Sequence, residues 1–108
     1  MAAKKVILDA SVVIKWFVDE EDSDKAVLYL NAFQQNQLLI TVPSLLFYEV
    51  GNFFVSHKAG PDRAGEAMLI LHNLSLDIQD VGLQWFRKIY QNSIEYGLTF
   101  YDATYITL

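Results

Sequence analysis

Three carboxylates fall where a charge needs explaining: Asp9, Glu49 and Asp102. Asp9 ends the apolar run Val6, Ile7, Leu8. Glu49 interrupts SLLFYEVGNFFV, a segment apolar on nearly every side, and an acid there is seldom fully buried unless it is paired or holds a metal. Asp102 follows an aromatic pair and precedes ATYITL, so the first turn of its helix is expected to pack against the core. Each acid also has a plain structural reading. Asp is a favoured N-cap, Glu49 can lie on a half-exposed helix edge, and TFYD fits a capping box with Thr99 as its N-cap. As a set, the acids offer oxygen alone as donor, which suits a hard cation such as Mg²⁺ or Mn²⁺. Such an ion lowers the pKa of water and clamps a phosphodiester, the chemistry of metal-dependent nucleases. His57 and His72 have no carboxylate at ligand spacing and are read as surface or packing residues.

The elements that must position these acids alternate in type. Val6–Leu8 reads as a short buried strand, Ser11–Val18 as a helix, and Ala26, Val27, Leu30 and Phe33 as one face of a second helix ending near Gln37. Leu38–Val42 is a strand rich in branched residues. Pro43 is expected to close it and to open a helix running to about Lys58, because a missing N–H costs nothing in a first turn. Gly60-Pro61 stops one helix and starts the next, over Asp62–Leu74. Leu76–Val81 alternates as a strand, Gly82–Tyr96 is helical with Gly97 as its C-terminal cap, and Thr99–Leu108 begins another helix. The order β-α-α-β-α-α-β-α-α implies a parallel sheet with helices on both faces. It sets all three acids at or near the carboxyl edge of that sheet, where ligands of open α/β folds bind. Two turns after Tyr101 the chain stops with no cap, so a further strand is expected beyond Leu108.

With 108 residues, 53% of them hydrophobic, the chain is sized for one well-cored domain. No apolar run approaches the ~20 residues of a membrane-spanning helix, and MAAKKVILDAS has too short an apolar stretch for a secretory signal. The absence of cysteine excludes disulfides and thiolate metal sites and fits a reducing cytoplasm. A net charge of −5 sits poorly with a nucleic-acid partner, since phosphate contacts come mostly from Lys and Arg. Much of that charge is local, however, in Asp19, Glu20, Glu21, Asp22 and Asp24, and bound cations would offset part of the rest. Lys15, Lys58, Arg63, Arg87 and Lys88 are scattered, and Trp16 and Trp85 read as core or interface residues.

LDAS at 8–11, PSLLFYEVGN at 43–52 and YDATYITL at 101–108 together resemble the PIN-domain family, in particular the VapC-like ribonuclease toxins of prokaryotic toxin-antitoxin pairs. The resemblance implies a single PIN-like domain over 1–108, a three-layer α/β/α fold with a parallel sheet whose last strand or strands lie beyond this chain. It implies that Asp9, Glu49 and Asp102 bind catalytic Mg²⁺ or Mn²⁺, with Ser11 and Asn52 lining the site. It further implies metal-activated hydrolysis of RNA leaving 5'-phosphate and 3'-hydroxyl ends, an antitoxin partner and a homodimer. The family commonly carries a fourth acid past the YDA helix, beyond Leu108. A second expectation is an inactive PIN-fold module that only binds other proteins. A phosphoryl-accepting receiver domain also uses acids at strand ends, but it wants adjacent acids after its first strand, and LDAS supplies one.

Overall fold

The computed structural model describes residues 3–108 and sets three strands, β1 (Lys4–Ile7), β2 (Leu38–Pro43) and β3 (Asp77–Gln79), in one parallel sheet in the order β1-β2-β3. Met1 and Ala2, which open the stretch read above as no secretory signal, lie outside the described residues. Parallel neighbours need long crossovers. Here these are helices α1 (Ala10–Ile14) and α2 (Ser23–Gln34), then α3 (Leu45–Ser56) and α4 (Pro61–Asn73), with α5 (Leu83–Tyr96) and α6 (Phe100–Thr107) following β3. Among these helices none is long and apolar enough to cross a membrane.

The sheet is staggered. β1 pairs with the first part of β2, from Lys4↔Leu38 to Ile7↔Thr41, and β3 with its last part, from Thr41↔Asp77 to Pro43↔Gln79. Continued past Ile7, that register carries Asp9 level with Pro43, where α3 is about to start. β2 is buried on both faces at Ile40, Thr41 and Val42, as a central parallel strand should be. Around it Val13 and Ile14 of α1, Leu46, Val50 and Phe54 of α3, and Ala67 and Leu71 of α4 form a continuous core. Thr41 is the polar member, and its hydroxyl is satisfied by Asp77 Oδ2 at 2.8 Å.

Several expectations change in detail. Among the described residues β1 pairs on one side only, with Val6 half-buried and Ile7 exposed, so only Leu8 of that apolar run is buried. Pro43 ends β2 and does not open α3, because the next amide, Ser44 N, donates to Gln79 O at 3.0 Å and extends the ladder by one residue. α1 stops at Ile14, after which Lys15, Trp16 and Phe17 tighten into i→i−3 turns. Trp16 Nε1, donating to Ala26 O at 2.9 Å, ties that turn to α2. The first turn of α6 faces solvent, with burial starting at Ala103.

The helix ends follow local chemistry. Gly97, at φ 64, caps α5 as expected. α2, α3 and α4 end the same way on non-glycine residues, Asn36, Lys58 and Ser75, all at positive φ. Thr99 caps α6, its Oγ1 accepting from Asp102 N at 3.1 Å. The reciprocal half of the capping box, Thr99 N–H to the Asp102 carboxylate, is not made among the described residues, which leaves that carboxylate free. Thr99→Ala is therefore expected to cost about 1 kcal/mol, read as a lower midpoint in urea with an unchanged m-value.

Candidate active site

Asp9 is the N-cap of α1. Its Oδ1 accepts from Ser11 Oγ at 2.6 Å and from Val12 N at 3.3 Å. The capping reading of Asp9 is thus correct, and Ser11 lies directly on it. On α3 the stripe Leu46, Val50, Phe54 faces the core, and Glu49 flanks that stripe half-buried. Its charge is paired, but with a phenol: Tyr105 donates its hydroxyl to Glu49 Oε1 at 2.5 Å.

Tyr105 is buried on α6, one turn after Asp102. Burial pushes its hydroxyl far above the usual tyrosine pKa, and the hydrogen bond and negative charge of Glu49 add to this, as does the charge of Asp9; a contact with the Ala10 backbone opposes them. The hydroxyl is therefore a standing donor at neutral pH. The hydroxyl thus ties α6 to the flank of α3 through Glu49, and the charge of Asp9 at the N-terminus of α1 also acts on it.

Asp102 keeps its carboxylate in solvent. Among the described residues no three Asp, Glu or His side chains stand together as a ligand set for one ion. The donors nevertheless have the right chemistry. Asp9 Oδ2 and Glu49 Oε2 accept no protein hydrogen bond among the described residues, so each acid keeps one oxygen available beside a fixed one. Hard divalent cations take such oxygen-only sets and complete them with water.

A cleft of about 400 Å³ opens beside Glu49, lined by Leu45, Tyr48, Asn52 and Tyr101. It brings Asn52 and the residue preceding Asp102 to the same opening. Tyr48, 78% exposed, stands at its rim. A larger cleft of about 670 Å³ between Val18, Phe53, His57 and Arg63 contains none of the three acids. His57 stacks on Phe53 with ring centroids 4.0 Å apart, a packing role as expected. Two of the scattered cations also have structural partners, Lys15 with Glu20 at 3.5 Å and Arg63 with Phe17 O at 2.7 Å.

Tyr105 is the residue that sequence reasoning missed. The signal was present in YDATY, where a tyrosine three positions after the acid shares its helix face, but an aromatic in an apolar helix reads first as core.

A three-stranded parallel sheet crossed by helices, with Asp9 capping α1 directly after β1 and Glu49 on α3 after β2, defines an α/β domain of the PIN type. Residues 6–108 match the PIN domain family, and the chain belongs to it. It is 30% identical over 109 residues to Ribonuclease VapC3 of Pyrobaculum aerophilum, an alignment that covers 96% of this chain and 80% of that protein. The resemblance carried by LDAS, PSLLFYEVGN and YDATYITL is thereby confirmed: this is a VapC-like PIN-domain protein.

Proposed function

We propose that the chain is a metal-dependent endoribonuclease, the toxin of a prokaryotic toxin-antitoxin pair, hydrolysing RNA phosphodiester bonds with Mg²⁺ or Mn²⁺. The observation that carries this reading is the PIN-domain match over residues 6–108 with 30% identity to a ribonuclease, in a chain whose Asp9 and Glu49 each keep one carboxylate oxygen free of protein hydrogen bonds among the described residues. Asp9, Glu49 and Asp102 are the residues that would hold the ion. When bound, a divalent cation lowers the pKa of water and stabilises charge on the phosphate. Ser11 fixes the Asp9 carboxylate, Tyr105 fixes that of Glu49, and Asn52 offers an amide at the cleft where a phosphodiester or ribose would lie. The chain's net charge of −5 disfavours RNA unless cations intervene, so a bound divalent ion would aid substrate approach as well as hydrolysis.

A protein partner is supported by α5. Leu83, Phe86, Tyr90 and Ile94 recur at helical spacing, and all are exposed. Such a stripe fits an antitoxin or a second copy of the chain, and it would serve the non-catalytic module equally well. Cleavage separates the two readings. A fluorescently end-labelled single-stranded RNA is expected to be cut by the purified full chain with Mg²⁺ or Mn²⁺. Excess EDTA should reduce cutting to background, and added Mn²⁺ should restore it. Cutting that EDTA leaves untouched rejects metal dependence, and no cutting with either ion favours the module.

A further inference from the structure

We propose that Tyr105 is a positioning residue of the metal site: its hydroxyl holds Glu49 by Oε1 and so keeps Oε2 available to a divalent cation. This rests on the nuclease reading above and extends it to a residue outside the acidic set.

Three observations support it. First, the other buried hydroxyls of α6 turn back on their own helix. Thr104 donates to Phe100 O at 2.9 Å and Thr107 to Ala103 O at 2.6 Å, whereas Tyr105 reaches an acid 56 positions earlier in the chain. Second, Glu49 has three side-chain torsions and a half-exposed setting, so without a partner its carboxylate would sample many positions. A buried phenol on a short, rigid stem is an effective anchor, and groups that orient a metal ligand by hydrogen bonding govern affinity almost as the ligands do. Third, Tyr105 occupies Oε1 alone: Oε2 accepts no protein hydrogen bond among the described residues, and a cleft of about 400 Å³ opens beside Glu49. A merely structural tyrosine would use Glu49 only to satisfy its own buried hydroxyl. In that case metal binding would be indifferent to its loss.

The test is Mn²⁺ binding by the full chain, followed through the electron paramagnetic resonance signal of the free ion, for wild type, Tyr105→Phe, Glu49→Gln and the double variant. Phe keeps the ring and removes the donor. Tyr105→Phe is expected to weaken Mn²⁺ binding about tenfold. In the Glu49→Gln background the same change should have no further effect, because the carboxylate it serves is gone. In RNA cleavage the half-saturating Mn²⁺ concentration should rise about tenfold, while the rate at saturating Mn²⁺ returns to within a few-fold of wild type. Unchanged Mn²⁺ affinity in Tyr105→Phe, with wild type binding and cutting normally, overturns the role of Tyr105 and leaves the nuclease reading intact. Failure of wild type to bind Mn²⁺ rejects the metal site and this proposal with it. If Tyr105→Phe does not fold, proton NMR of the wild type decides. The Tyr105 hydroxyl should give a slowly exchanging downfield resonance that Glu49→Gln removes and Mg²⁺ shifts. A resonance insensitive to Mg²⁺ overturns the proposal.

Discussion

Asp9→Asn is expected to abolish RNA cleavage while leaving the protein folded. Asparagine is as good an N-cap as aspartate, so its side-chain oxygen can still accept from Ser11 Oγ and Val12 N, as Asp9 Oδ1 does. What disappears is the negative charge at the sheet edge. A divalent cation contributes several kcal/mol of stabilisation to a phosphoryl transition state. At ~1.4 kcal/mol per tenfold, loss of a charged ligand should lower the rate on the order of a thousandfold. The thermal midpoint should stay close to that of wild type. Asp9→Ala makes the contrast, since it also removes the cap and should cost about 1 kcal/mol of stability. Initial rates with Mn²⁺ and thermal denaturation of the three proteins check both halves. Cleavage by Asp9→Asn at the wild-type rate, with contaminating nuclease excluded, would sink the assignment.

Leu46→Ala should give the largest loss of stability. Leu46 is 0% exposed and begins the α3 stripe continued by Val50 and Phe54, which packs with Ile40, Val42 and Leu71 in one core. Truncating such a leucine costs about 2–5 kcal/mol, the lost transfer energy plus the cavity left behind. That is a large share of the ~5–15 kcal/mol by which a domain of this size is stable. The melting midpoint should fall by roughly 10 °C or more. Leu69→Ala on α4, at a site 60% exposed, should change stability by no more than about 0.5 kcal/mol. Because Glu49 lies three residues after Leu46, a loosened α3 should also raise the half-saturating Mn²⁺ concentration for cleavage. A Leu46→Ala protein as stable as Leu69→Ala would mean that α3 is not anchored as described.

Much of the fold was legible because its signals are local. Apolar spacing distinguishes the strand Leu38–Val42 from the helices around it, Gly60-Pro61 marks a break that only turn chemistry produces, and Thr99 and Gly97 cap α6 and α5 through bonds to residues close by. Where sequence reading went astray, a nonlocal partner had intervened. Pro43 stayed in β2 because Ser44 found Gln79 across the sheet. The expected packing of the first turn of α6 failed for a similar reason, since aromatic content reports a wish for burial and not which turn obtains it.

The acids show the same division. Their types, and their places after β1, within α3 and at the start of α6, can be read from residue order, because strand–helix alternation puts such positions at one edge of a parallel sheet. Which of them face one another could not be read that way. The partner of Glu49 is a tyrosine 56 residues distant, on a helix that follows β3. Periodicity and capping are set by interactions within a few residues, so the linear order carries them. The meeting of side chains from separate elements depends on how the sheet and helices pack, and that packing is a property of the folded chain as a whole.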